Sequence, residues 1–181
     1  MMNLGASWQA GLLAAVLTLS SLQASAATDE LSTMFQWWNS AFNTQDGFNA
    51  EAFARYYTKD ARLVIDGVEQ ARGIDAWVRH FRKIQASGAQ VEIVLPFRQV
   101  FKHGDKIYTY HVIRSVRNGT ATCTLAAGHA FVVKGKIAEV NLVRAVLAPE
   151  QAAKDPGCGS SSSKQARVTA SSARPAPART R

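Results

Sequence analysis

Of the 181 residues, 21 are Lys or Arg and 13 are Asp or Glu, a net charge of +8. Residues 27–150 carry +3 of that charge and residues 151–181 carry +5, so the body of the chain is only mildly basic, which argues against a specific nucleic-acid reader. Two cysteines without metal-ligand spacing, and no His cluster, exclude a zinc centre of the usual kinds, and no glycine-rich phosphate loop is present.

The chain opens with an apolar run, Ala10 to Leu19, followed by the small-residue site Ala24-Ser25-Ala26. This is the layout of a secretory signal peptide over residues 1–26, and it places the mature protein in the periplasm or outside the cell. The run is shorter than the roughly 20 residues a membrane span needs. Residues 151–181 are Ser, Ala, Pro and Arg with Val168 as the one large apolar side chain, a composition that predicts a disordered basic tail. Between these ends lies one domain, residues 27–150, of about 120 residues, enough for a single core. Cys123 falls in a predicted strand and Cys158 in the tail, and a bridge between them stays open at this point.

The first predicted helix is ELSTMFQWWNSAFN, with Leu31, Met34, Phe35, Trp38, Ala41 and Phe42 on one face at a 3.6-residue period. A second, short helix is capped by Asn49, buries Ala52, Phe53, Tyr56 and Tyr57, and closes at Lys59-Asp60. ARLVI then reads as a strand, turned by Asp66-Gly67. After Gly73 a third helix sets Ile74, Trp77, Val78, Phe81 and Ile84 against Arg79, His80, Arg82 and Lys83. From Gln90 the period becomes 2, and four long strands follow: QVEIVLPFRQVFK, KIYTYHVIRSVR, TATCTLAAGHAFVV and IAEVNLVRAVL. Three helices before an antiparallel meander predict an α+β fold with the helices on one face of the sheet.

Asn118-Gly119 is the strongest hairpin signal, and a two-residue turn there pairs Arg117 with Thr120, Arg114 with Cys123, Tyr110 with Ala127 and Tyr108 with His129. One face then carries Tyr108, Tyr110, Val112, Arg114, Leu125, His129 and Phe131, and the other Thr109, His111, Ile113, Ser115, Thr122, Thr124 and Ala126. The first set is bulkier and more apolar, which places it under the helices. A one-residue slip would exchange the faces and bring His111 inside.

The order of AFARYYTKDARLVIDG, RGIDAWVRHF, HGDKIYTYHV and KGKIAEVNLV after an aromatic-rich helix resembles the SnoaL-like branch of the nuclear-transport-factor-2-like superfamily, over about residues 30–147. The resemblance implies a cone: a curved antiparallel sheet of four long strands plus a short hairpin, wrapped around three N-terminal helices and opening onto a pocket. It implies a small, largely apolar ligand, no cofactor or metal, and either metal-free acid/base chemistry of cyclase, isomerase or hydratase type or a non-catalytic binding or dimerisation module of the cell envelope, with a homodimer in view. These motifs mark a fold, and a fold does not carry a function with it.

His129 is the candidate general base, on a strand position where the resemblance to cyclases implies an acid or base; the alternative is a hydrogen-bonded core histidine. Arg114 is a clamp for an anionic ligand or half of an internal ion pair with Glu139 or Asp66. Tyr108 and Tyr110 are oxyanion donors or core side chains with hydroxyls at the rim. Tyr57 and Trp38 complete the expected pocket wall, with Trp38 also at home in the core. Asp66 is expected at the surface of its turn.

Overall fold

The structure, a computed structural model, describes residues 30–159; residues 1–29, with the expected signal peptide, and residues 160–181 lie outside the described residues. In chain order it runs α1 (Glu30–Phe42), α2 (Ala50–Tyr56), β1 (Tyr57–Ile65), β2 (Val68–Arg72), α3 (Ile74–Ala86), β3 (Gln90–Ile93), β4 (Gln99–His103), β5 (Lys106–Arg117), β6 (Thr120–Val133), β7 (Lys136–Val146) and α4 (Pro149–Lys154). The strands make one seven-stranded sheet ordered β2-β1-β7-β6-β5-β3, with β4 also paired to β5. Every pairing is antiparallel except β1 with β7. The sheet curves around α1, α2 and α3, the cone-like α+β architecture expected from the sequence.

Helix α1 buries Leu31, Met34, Phe35, Trp38, Ala41 and Phe42, the six positions read from its period. Asn49 caps α2, its side-chain oxygen accepting from the Ala52 amide at 2.9 Å. Between helices and sheet sits a continuous aromatic cluster in which Phe48, Phe53, Trp77 and Phe81 pack at ring-centroid distances of 5.5–6.0 Å. Trp77 is fixed further by donating from Nε1 to the Ala61 carbonyl at 2.9 Å. Rings this close gain pairwise attraction beyond the area they bury.

Three local expectations are corrected. Helix α2 ends at Tyr56, so Tyr57 starts β1 and Lys59 and Asp60 lie exposed in that strand rather than closing a helix. The strand expected over 90–102 is two strands, separated by a segment that holds the cis Leu95-Pro96 peptide. Pro96 has no N–H to give to a ladder, so pairing stops there. Both halves still pair with β5. Residues 151–159, read as tail, continue the fold: Gln151–Lys154 belong to α4 and Cys158 is bonded to Cys123, with the Cα atoms 5.6 Å apart.

Three hairpin turns have positive φ at both central residues: Asp66-Gly67 (54° and 80°), Asn118-Gly119 (51° and 76°) and Lys134-Gly135 (50° and 75°). That is the signature of type I′ turns, whose twist matches the flanking strands. The Asn118-Gly119 turn sets an unbroken ladder from Arg117–Thr120 through Arg114–Cys123 to Tyr108–His129, the register read from the sequence.

The faces, however, are exchanged. His111 (2% exposed), Thr109, Ala126 and Ala130 point into the concave side, while Tyr108, Tyr110, Arg114 and His129 lie on the convex side and are only half-buried or, in the case of Arg114, ion-paired near the surface. No slip or bulge is needed for this, since the β5–β6 register is regular. Curvature accounts for it. Side chains on a concave surface converge, so that face takes small residues; on a convex surface they diverge and large ones fit. The bend is sharp at Gly128, where a Cβ would run into the backbone of its own ladder partner, at the Asn141 carbonyl oxygen and the Leu142 Cα.

The segment from α4 to Gly159 lies as a strap across the convex side of β5 and β6. The Leu147 amide donates to the Cys123 carbonyl at 2.9 Å, Arg98 pairs with Asp155, and Arg114 donates to the Gly159 carbonyl. Gly157 sits close enough to Val112 that a Cβ would meet its Cγ2 at 2.9 Å. This is why Val112 (1%) and Cys123 (5%) are buried on the outer face of the sheet.

Candidate functional site

The concave side of the sheet, α1 and α3 enclose a cavity of about 680 Å³ that opens to the surface. A volume of this size suits a small organic molecule. Its walls are Phe35, Trp38, Phe42 and Leu63 near the helices, and Val91, Ile93, Ile113, Val140 and Leu142 from the sheet. Along β5 the inward residues grade from buried His111 through half-buried Ile113 and Ser115 to exposed Arg117. Across from them on β6 stand Thr124, Thr122 and Thr120. The Ser115 and Thr122 hydroxyls are 2.7 Å apart. The cavity therefore has an apolar interior, a hydroxyl-lined neck and a polar rim.

His111 is the one titratable side chain in the depth of this cavity. Its ring lies against Phe35 and Phe97, at centroid distances of 6.0 and 5.4 Å. Nδ1 is 3.2 Å from the Thr109 hydroxyl, and Nε2 has no hydrogen-bond partner among the described residues. Burial lowers its pKa to about 4, so the imidazole is neutral at neutral pH. Its tautomer follows from Thr109: if the hydroxyl donates to Nδ1, Nε2 carries the proton. Trp38, also in the wall, has an indole N–H that likewise lacks a partner.

At the rim are Gln70, His80, Arg117, Asn118, Thr120 and Arg144. Arg144 is held by Asp66, with guanidinium bonds of 3.1 and 2.8 Å, and the Arg144 amide donates to the same carboxylate at 2.8 Å. Asp66 is accordingly held below the usual carboxylate range by Arg144. Burial, then the charges of Lys83 and Arg144, lower the pKa of His80. Arg117 donates to the Ser87 hydroxyl at 2.9 Å and has no carboxylate partner among the described residues. No Asp or Glu is among the cavity's lining residues.

The residues singled out in the sequence are dispersed rather than gathered. Trp38 lines the cavity. Tyr57 is core, 2% exposed, with its ring 4.4 Å from that of Trp77 and its hydroxyl donating to the Met34 sulfur at 3.1 Å; burial pushes its phenol pKa up. Tyr108, Tyr110 and His129 border a shallow groove on the convex face with Phe101, whose ring stacks on Tyr108 at 4.8 Å. Arg98 sits over the Tyr110 ring at 5.5 Å. Arg114 is an ion-pair residue, donating to Glu92 at 3.1 and 2.8 Å; neither Glu139 nor Asp66 is its partner, since these pair with Arg62 and Arg144. None of Tyr57, Tyr108, Tyr110, Arg114 or His129 is among the cavity's lining residues.

The sequence reading passed over Arg117 and Arg144 and took His80 only as a water-facing residue. It placed His111 on the outer face, to come inside only with a slip. The available signal was the alternation of Thr109, His111, Ile113 and Ser115 opposite Thr122 and Thr124, a face of small hydroxyl residues interrupted by one imidazole.

No family model and no curated protein matches the chain. Solved structures do. An NTF2-like protein of unknown function from Exiguobacterium sp. 255-15 superposes with a TM-score of 0.52 at 18% identity, covering 65% of this chain and 98% of the other. An LEH-like epoxide hydrolase from M. tuberculosis gives 0.51 at 14% identity, covering 64% and 83%. A candidate SnoaL-like polyketide cyclase from Jannaschia sp. CCS1 gives 0.50 at 14%, covering 74% and 94%. At these identities the likeness is one of fold: the chain shares the cone-shaped α+β fold of these NTF2-like and SnoaL-like structures.

Proposed function

We propose that this is an exported, SnoaL-like protein that binds a small, largely apolar ligand inside the cone. The observation that supports it is the cavity of about 680 Å³, walled by aromatic and aliphatic side chains around the unpartnered Nε2 of His111. A buried polar atom without a partner costs stability unless a ligand or water supplies one. The walls hold no carboxylate, so the carboxylate base of isomerase-type chemistry has no counterpart there. Any acid/base step in the depth of the cavity falls to His111, with His80 at the rim, and we read His111 first as a neutral hydrogen-bonding group. Export is supported by the Cys123–Cys158 bridge, because such bonds persist in oxidising compartments.

The test uses the neutral probe N-phenyl-1-naphthylamine. It should enter the cavity, gain fluorescence and quench the wall tryptophans, Trp38 and Trp77. Ile113→Trp projects a large ring into the lumen and should weaken binding by roughly ten-fold or more, the scale of a lost buried side-chain contact. Thr124→Phe, a smaller plug from the facing strand, should do the same if the first variant folds poorly. Unchanged binding in a folded plug variant would refute the cavity as the site.

A second reading, homodimerisation, is supported by the convex face. Phe101 is 61% and Val143 60% exposed there, flanking Tyr108 and Tyr110. Sedimentation of the protein and of Phe101→Lys should show a dimer in the first and a monomer in the second; a monomer in both discards it.

A further inference from the structure

The proposed cavity has a direction, and the direction specifies its ligand. His111 and Arg117 are both inward residues of β5, six positions apart. At a strand rise of about 3.3 Å per residue, the path from the deep imidazole to the rim guanidinium is roughly 20 Å. Around the inner part stand Phe35, Ile93, Ile113 and Leu142, with no charged group. Further out the Ser115 and Thr122 hydroxyls meet, and then Arg117 closes the series. The trough is therefore long, apolar for most of its length, and terminated by a cation.

The charges at the mouth are not equivalent. Arg144 is neutralised by Asp66 through two guanidinium bonds. His80 is held toward its neutral form. Arg117 is different: its recorded partner is the neutral hydroxyl of Ser87. Glu92, on the convex face of β3, is engaged by Arg114, and Glu69 by Arg62 and Arg72. Among the described residues the mouth thus offers one guanidinium without a carboxylate partner, beside hydroxyl donors, and no free carboxylate lines it to attract a cation. A guanidinium takes a carboxylate through paired hydrogen bonds, and such charge-assisted bonds are stronger than neutral ones.

We infer that the cavity takes an elongated anionic amphiphile, with its apolar chain along the trough toward His111 and a terminal carboxylate at the rim on Arg117, assisted by Ser115 and Thr122. This rests on the cavity being the binding site. It adds the polarity, the orientation and the head group. A charged head left at the rim keeps its contact with water, so no ion is buried, while the chain removes apolar surface from water.

The test is displacement of N-phenyl-1-naphthylamine by dodecanoate and by dodecanol, two probes that differ only at the head. Dodecanoate should displace it at a concentration roughly ten-fold lower, the worth of one charge-assisted contact at an exposed rim. Arg117→Gln should bring the two probes to near-equal potency while leaving dodecanol unchanged. Equal potency in the unaltered protein overturns the head-group assignment and leaves the cavity standing. A preference that survives Arg117→Gln overturns it too, because the anion is then held elsewhere, the basic residues after 159 included. Failure of both probes in a protein that binds the naphthylamine overturns the elongated trough. Failure of the naphthylamine itself removes the cavity reading on which the inference rests.

Discussion

Replacing Cys123 and Cys158 together by serine is expected to lower the free energy of unfolding by about 3–4 kcal/mol. The bond closes a loop with a sequence separation of 35 residues, and a cross-link of that span removes this order of entropy from the unfolded chain. It also ties down a strap whose other anchors are modest: the Arg98–Asp155 pair, one backbone bond from Leu147, and one bond from Arg114 to Gly159. Without the covalent link these partly exposed contacts hold a six-residue helix with no buried residue, too short to persist alone. The strap should detach, uncovering Val112 and the serine now at position 123, and midpoint temperatures should fall on the order of 10 °C. Thermal and urea unfolding with and without reductant measure this. A loss below about 1 kcal/mol would mean that the strap docks through its non-covalent contacts alone.

The second large effect is in acid. Unfolded His111 titrates near 6.5; in the fold burial lowers this to about 4. Between those values the unfolded chain holds a proton that the native chain does not. Stability therefore falls as pH drops through that window and levels off, for this group, below it. The total is about 3 kcal/mol, from 1.36 kcal/mol per pH unit. His111→Gln keeps a polar side chain without the titration and should lose this part of the slope. The lowered carboxyl groups, Asp66 with Arg144, Glu69 with Arg72 and Arg62, and Asp155 with Arg98, lose their contributions at lower pH and do so in both proteins. Unfolding free energies at several pH values between 7 and 4 give the comparison. Parallel curves would show that His111 is not held below its unfolded value in the native state, its charged form being solvated in the cavity.

Local signals in this sequence were reliable where the chemistry is local. The 3.6-residue spacing of Leu31, Met34, Phe35, Trp38, Ala41 and Phe42 is a property of one helix, and it returned the buried face of α1. Asn118-Gly119 determines its turn and so the β5–β6 register. What the sequence did not reveal is which side of that ladder faces inward. Bulk and apolarity pointed to Tyr108, Tyr110 and Phe131, whereas the tightly curved sheet carries the small residues Thr109, Ala126, Gly128 and Ala130 on its inner side, beside His111 and Ile113. Curvature is a property of the whole sheet, and no single strand carries it. The candidate site suffered the same reversal, since His129 and Tyr108 are cross-strand neighbours on the face opposite His111. The strap was missed for a related reason. Its helix is six residues long with no buried face, and its one strong anchor, Cys158, needs a partner 35 positions away.

The ladder between β6 and β7 ends at Thr124–Val146, while β6 itself runs on to Thr120. On that side the hairpin is a cantilever: past Cys123, whose carbonyl accepts from the Leu147 amide, three further residues project, and the disulfide clamps them at the root. On the other side β3 supports β5 as far as Val116. The free span is then about 10 Å, and Arg117, Asn118, Thr120 and Thr122 ride on it. In mechanical terms the strap is a splint placed behind the lip of a vessel. Removing it should leave the vessel's interior as it was and change the stiffness of one edge of its mouth.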